Sequence, residues 1–351
     1  MPPNLRPRKK ANVDCQPIPP LVGPPNLTGL AALPPELLLE IVNHLPRFPV
    51  PCDYLGPPMI TPVHTRHSTL IILVQICSSL RTALVHQLWE DIELFSLYCG
   101  QRNTPADPKR ICTSCLLEQN LSSESYFAFK IVSQLETVTV RVPEYAACVQ
   151  TLTIFLPVHS AETIVPEFAE CLTLLPNLRT LQFYYNIYNE DLCHVIRKRF
   201  ARRQYKNIKT LVIPADIGSM TLLEACANVS HLHFTSTLLF RVSNVFVNIE
   251  KLTGILPHPH FNRIGDILPN LKRFQLRSDS SINLRGLSKT LAQLSKPEVV
   301  EIAIISLGGE HEADILKREV GSIIDQTHSG ARIRRRVEVW DHNSNPPVRC
   351  S

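Results

Sequence analysis

The residues of this chain with metal-ligand types and spacing are one cysteine pair and two histidine pairs. Cys112-Thr113-Ser114-Cys115 places two thiols at C-x-x-C spacing. Zinc needs four ligands or three plus a water. Cys99 and His86 are the candidates to complete such a set, but no second regularly spaced pair exists. A thioredoxin-type role needs a strand–helix–strand setting that the flanking residues do not provide. Free thiols are the favoured reading. His231-x-His233 and His258-x-His260 each project two imidazoles to one side of an extended segment, and neither brings a third ligand. Residues 197–206, RKRFARRQYK, carry six basic side chains. Leu192, Val195, Ile196 and Phe200 give the same helix an apolar stripe, so the cations are expected on its wet face. Binding of RNA or an acidic partner there is the sharper alternative.

Catalysis finds no support. There is no nucleophile elbow, Walker loop, dinucleotide fingerprint or H-E-x-x-H. The 12 glycines do not cluster into a phosphate cradle. No enzyme, cofactor or metal is expected. The chain's work must then lie in surfaces, and the elements that present them come next.

The chain has 351 residues, 44% hydrophobic and 19% charged, with net charge +5. A sizeable core can form. The charge is too small and too spread for a dedicated nucleic-acid binder. The N-terminus, MPPNLRPRKK, has no apolar run behind it, and stretches such as Leu70–Val74 are far too short to span a bilayer. Eleven scattered cysteines fit a reducing compartment. A cytoplasmic or nuclear location without membrane contact is expected.

Sixteen of the 29 prolines fall within residues 1–67. Residues 1–27 are expected to be a disordered tail, and their basic cluster fits a solvated tail better than a nuclear localisation signal. Pro34 and Pro35 suit a helix start, where their missing N–H groups cost nothing. Leu37, Leu38, Ile41 and Leu45 follow at helical spacing. Residues 46–67 hold six prolines and Gly56 and read as a loop. Ser68 is a candidate cap for one helix over roughly 69–88, with Trp89 after it.

From residue 135 a pattern recurs. LRTLQFYYN, residues 178–186, fits L-x-x-L-x-L-x-x-N throughout. LETVTV from 135, VQTLTI from 149, IKTLVI from 208, VSHLHF from 229, IEKLTG from 249, LKRFQL from 271 and VVEIAI from 299 fit more loosely. Asn177, Asn207, Asn228, Asn248 and Asn270 each stand before the first apolar residue. The starts lie 14, 29, 30, 21, 20, 22 and 28 residues apart. All but the first spacing sit close to the period of leucine-rich repeats. The 14-residue spacing is too short for a strand plus helix. Helix-like stretches fill the intervals at 162–175, 189–203, 216–227, 261–268 and 285–295. The expected fold is α/β: a small N-terminal helical module, then an irregular solenoid of strand–turn–helix repeats whose strands line a concave face. A conventional α/β sheet is the alternative. The stretch Arg332 to Arg336 before VEVW reads as a charged edge strand.

LPPELLLEIVNHL is where the chain resembles a known family. Leu33-Pro34, Glu36-Leu37, Ile41 and Leu45 resemble the opening of an F-box. Cys77-Ser78-Ser79-Leu80-Arg81 and Leu88-Trp89 resemble its second half. The plan looks like that of fungal F-box proteins with C-terminal leucine-rich repeats. The proline-rich stretch 46–67 departs from it, because the family's first connection is short. The resemblance implies a tail at 1–27, an F-box-like module at 28–95 and a connecting segment at 96–134. The repeats would span 135–340, with a tail at 341–351.

It further implies that Leu33, Pro34, Glu36, Leu37, Ile41 and Leu45 dock on a Skp-type adaptor, with Leu80 and Trp89 packing beneath or beside them. Cullin and RING subunits would follow through that adaptor. The chain would then be a non-catalytic substrate receptor of a ubiquitin ligase. Target binding falls to the strand residues expected to point outward. These are Thr151, Thr153, Thr180, Thr210, Val212, Lys251, Thr253 and Glu301 and, as the best candidates, Gln182, Tyr184, His231, His233, Arg273, Gln275 and Arg277. A repeat scaffold without a ligase role is the alternative.

Overall fold

The structure is a computed structural model that describes residues 29–45, 65–94, 121–235, 248–255, 268–279, 299–306 and 334–341, with a few positions between 315 and 323. The expected tails at 1–27 and beyond 341 fall outside the described residues. So do most of the proline-rich stretch, Cys99, Cys112 and Cys115, His258 and His260, and the helix-like stretches at 261–268 and 285–295 apart from Leu268.

Among the described residues a short 3-10 turn at Leu30–Ala32 is followed by three α-helices: α1 (Pro35–Asn43), α2 (Thr65–Ile76) and α3 (Ser78–Glu90). Pro35 occupies the first helical position of α1, and Pro34 precedes it as the cap, as their fixed φ favours. The single helix expected over 69–88 is two. Cys77 is extended (φ −156°, ψ 165°) and breaks it. Arg81 Nε spans the break by donating to the Val74 carbonyl at 3.0 Å, which meets an acceptor that the end of α2 leaves open. α2 also starts earlier than expected, so Thr65, Arg66 and His67 are helical and not part of the loop. Leu38, Val42, Leu70, Val74, Leu80 and Leu84 form a small buried cluster among these helices.

The rest is α/β, built on a nine-stranded sheet. Its strands are β1 (Asp91–Leu94), β2 (Thr151–Leu156), β3 (Thr180–Tyr185), β4 (Thr210–Ile213), β5 (His231–Phe234), β6 (Lys251–Ile255), β7 (Arg273–Asp279), β8 (Val299–Ser306) and β9 (Arg334–Asp341). Spatial order equals chain order, and every neighbouring pair is parallel. β9, with Arg334, Arg335 and Arg336, lies at the sheet's edge as the sequence suggests. Helices α4 (Leu121–Glu136), α5 (Ala161–Thr173), α6 (Glu190–Phe200) and α7 (Ile217–Ala225) lie in the connections, each touching the next.

The main core fills the space between strands and helices. Leu152, Leu181, Leu211, Leu232, Leu252 and Phe274 form one buried row across the sheet, and Phe168, Phe183 and Phe200 meet behind it. Phe168 stacks on Phe183 with centroids 5.5 Å apart, and Phe200 meets Phe183 edge-on at 6.1 Å, both favoured aromatic geometries.

Two expectations are corrected here. LETVTV is not a strand: α4 runs through Glu136 into a π-helical turn at Thr137–Arg141. Thr137 and Thr139 donate their hydroxyls back to Ser133 and Leu135 carbonyls, at 2.7 and 2.8 Å. The first strand is instead Asp91–Leu94, inside the residues assigned to the helical module, so the sheet begins at residue 91. The other seven segments are strands.

The asparagines before the strands act as a ladder. Asn177 Nδ2 donates to the Ala147 carbonyl, Asn207 to Pro176, Asn228 to Lys206 and Asn248 to Ala227, at 2.7–2.9 Å. From Asn207 on, each bonds the residue just before the preceding asparagine. Two successive amides then share one carbonyl of the previous strand's entry, as Arg179 and Thr180 do on Gln150. The same pair of bonds recurs at Lys209 and Thr210, Ser230 and His231, Glu250 and Lys251, and Lys272 and Arg273.

Candidate functional site

α1 is apolar on two sides. Leu38 and Val42 turn inward, at 4% and 1% exposure, into the small cluster. Leu37 and Ile41, one turn apart, stand open at 52% and 45%. Pro34 and Glu36 beside them are exposed, and Leu33 and Leu45 are half-buried. Of the expected docking residues, Pro34, Glu36, Leu37 and Ile41 are thus open to solvent, while Leu33 packs against the small cluster. α2 adds exposed Ile72 and Ile76, which the sequence reading did not single out.

Leu80 and Trp89 fare differently. Leu80 is fully buried beneath the helices, out of reach of a partner. Trp89 packs against the sheet's core and stacks on Tyr145, centroids 5.6 Å apart. Leu80 thus lies beneath the helices, and Trp89 lies half-buried against the sheet.

Arg66 joins the helices to the sheet. It is buried, donates to the Val42 carbonyl and to Gln87 Oε1 (3.3 Å), and pairs with Glu90 and Asp91, both at 3.9 Å. Those carboxylates end α3 and begin β1. Nearby Glu93 is pushed up to about 7, first by burial, then by the Asp91 charge, with Arg66 pulling the other way.

The strand face departs from the expectation of open side chains. Its middle row runs Glu93, Thr153, Gln182, Val212, His233 and Thr253, in register from strand to strand. Thr153, Gln182, His233, Thr253 and Gln275 are all buried. Parallel neighbours stand only about 4.8 Å away on both sides, so each side chain shields the next. Lys251 is buried as well. Tyr184, His231 and Arg273 are half-buried, and the side chains of Arg277 and Glu301 lie outside the described residues. Tyr184 O–H donates to Gln182 Oε1 at 3.0 Å, and His233 Nδ1 is bonded to Thr253 Oγ1 at 2.8 Å. The face thus brings the expected residues together, as a partly closed surface.

The basic helix behaves as its apolar stripe requires. Leu192, Ile196 and Phe200 are buried, while Arg197, Lys198, Arg199, Arg202 and Lys206 are exposed. Arg203 pairs with Glu170 at 2.8 Å. Among the described residues no three metal-ligating side chains come together. The described cysteines are unbridged, and burial pushes the Cys171 thiol up to about 12. A polar group of buried Tyr185 and Ser219 with half-buried Asp216 and Cys193 escaped the sequence reading. Tyr185 bonds Asp216 and Ser219, and Asp216 caps α7 through Ser219 N–H at 2.8 Å. It ties β3 to the start of α7. His86 Nδ1 and Cys148 Sγ, 3.0 Å apart, join α3 to the turn before β2. No described helix is long and apolar enough to cross a membrane.

No protein-family model matches the chain, and no curated protein matches it significantly.

Proposed function

We propose that this chain is the non-catalytic substrate receptor of a cullin–RING ubiquitin ligase, acting in the cytoplasm or nucleus. Its first helices form an F-box-like module that docks on a Skp-type adaptor, and its strands form a leucine-rich-repeat solenoid that holds the target. Chemistry belongs to other subunits, and this chain supplies proximity.

The observation that carries the reading is the division of α1. Leu38 and Val42 already suffice to anchor it, yet Leu37 and Ile41 remain apolar and exposed. An open apolar pair on a helix suits insertion into a partner's groove. A stable contact of this kind buries about 1,600 Å² in total, with a few residues dominating. The solenoid reading is supported by the wholly sequential parallel strand order and the asparagine ladder.

The test is the double substitution Leu37→Asp with Ile41→Asp in the full chain. Capture of a Skp-type adaptor should be lost while the melting temperature stays within a few degrees, because both positions face water. Undiminished capture would sink the assignment. Cullin in the captured complex, with target accumulation when the chain is deleted, separates a ligase receptor from a plain scaffold.

A second reading rests on the exposed cations from Arg197 to Lys206, which suit RNA or an acidic protein. Salt-dependent RNA binding abolished by charge reversal there, with no adaptor captured, would favour it.

A further inference from the structure

The imidazole of His86 and the thiol of Cys148, 62 residues apart in the chain, meet at the surface with Nδ1 and Sγ 3.0 Å apart. His86 is exposed and Cys148 half-buried. Among the described residues, no other cysteine is bonded to a histidine.

The backbone on each side holds the pair in place. His86 lies on α3, and Cys148 ends a 3-10 turn, Pro143–Cys148. At the next contact between the same two elements Trp89 stacks on Tyr145, centroids 5.6 Å apart. The chain is tied down before and after Cys148. Asn177 Nδ2 donates to the Ala147 carbonyl at 2.7 Å, and the Gln150 N–H donates to the Glu90 carbonyl at 2.9 Å. Ring and thiol are therefore presented to each other from two fixed frames.

This is the arrangement of a nucleophile with its base in hydrogen-bond reach. Burial pushes the Cys148 thiol up, so little thiolate stands ready at rest. Reaction then depends on Nδ1 accepting the proton as the sulfur attacks. A thiol pushed up in this way gives the stronger nucleophile once deprotonated. A disulfide sulfur is an electrophile that asks only for a thiolate and access, and a half-buried sulfur beside an exposed ring admits a compact one. We infer that Cys148, with His86 as its base, is a site of reversible thiolation by small disulfides.

The step balances without a further oxidant. Cys148 Sγ forms a new S–S bond to one sulfur of the disulfide as the old S–S bond breaks. The other half leaves with the electron pair and takes the thiol proton from His86. A free thiol runs the exchange backwards. The adduct lies where α3 meets the turn before β2. The site stands apart from the receptor reading and does not depend on it.

The experiment uses full-length protein, reduced and then mixed with uncharged hydroxyethyl disulfide. Samples are quenched with acid at intervals, and peptide mass spectrometry reads the adduct at each cysteine. Cys148 should react about tenfold or more faster than Cys77, which is also half-buried, through the help of its base. His86→Leu and His86→Gln both remove that base, the second keeping a polar side chain. Each should slow Cys148 about tenfold and leave Cys77 unchanged. In both variants the rate at Cys148 should climb about tenfold per pH unit between about pH 6 and 8, as thiolate alone does, and less steeply in the natural chain. A packing role for His86 would not change that slope. Cys148 reacting no faster than Cys77, or an unchanged rate and slope in both variants, overturns the inference. So does equal labelling of Cys148 and the buried Cys171 and Cys226 in the natural chain, which would report general opening.

Discussion

The buried guanidinium of Arg66 donates to the carbonyl of Val42, 24 residues earlier, and closes the C-terminal end of α1. The same group faces Glu90 and Asp91, where the last helix becomes the first strand. Removing one partner of a buried charge cluster is costly because the remaining charges stay desolvated. Arg66→Met should destabilise the N-terminal helices by about 3 kcal/mol. Hydrogen exchange would show it as lost protection in α1 and α2, with β3 and β4 unchanged.

Glu93 gives the fold a pH dependence of defined sign. Its carboxyl is pushed up from 4.5 to about 7 in the folded chain, chiefly by burial. Below about 4.5 both folded and unfolded forms hold the proton, and nothing depends on it. Between about 4.5 and 7 the unfolded chain ionises while the folded chain keeps its proton, so stability falls as pH rises and levels off above. Glu93→Gln removes this contribution. Urea titrations at pH 5 and pH 8 should show the variant gaining on the natural chain at pH 8, and an equal difference at both pH values would refute the assignment.

Gly254 lies at φ +77°, a conformation that side chains disfavour, in the register shift between β6 and β7. A methyl group there would collide with the Phe234 carbonyl and come within 2.7 Å of the His233 ring. Gly254→Ala should cost about 3 kcal/mol or more, through left-handed strain plus the overlap. Thermal melts of Gly254→Ala beside Gly321→Ala, where a methyl meets nothing within 4 Å, would isolate the effect.

The asparagine ladder makes a donor-specific prediction. Asn207→Ala removes the 2.7 Å bond to the Pro176 carbonyl and should cost about 1 kcal/mol. Asn207→Asp keeps the shape but turns a donor into an acceptor facing a carbonyl. It should be at least as damaging as alanine, and denaturant midpoints of the two variants check this.

Much of this molecule could be read in its residues, and the failures have physical causes. The asparagine-led strand starts were readable because each pairs a fixed polar contact with the same apolar spacing. LETVTV misled because threonine and valine alternate as in a strand, whereas the buried residues Ile131, Leu135 and Val138 keep helical spacing. Its threonine hydroxyls bond back along the helix, which composition does not reveal. Asp91–Leu94 is only four residues long, too short for period-two alternation to stand out. The break at Cys77 carries neither proline nor glycine and is stabilised by Arg81 from the next helix. The stacking of Trp89 on Tyr145 was not legible, because the two residues are distant in sequence. Alternation along one strand suggested an open middle row, and only the flanking strands in register reveal that it is covered.

α3 ends at Glu90 and β1 begins at Asp91, with no residue between them. A hinge needs slack, and this junction has none. Whatever grips the opening helices therefore also sets the bearing of the sheet that follows, as a handle forged in one piece with its blade sets the direction of the edge.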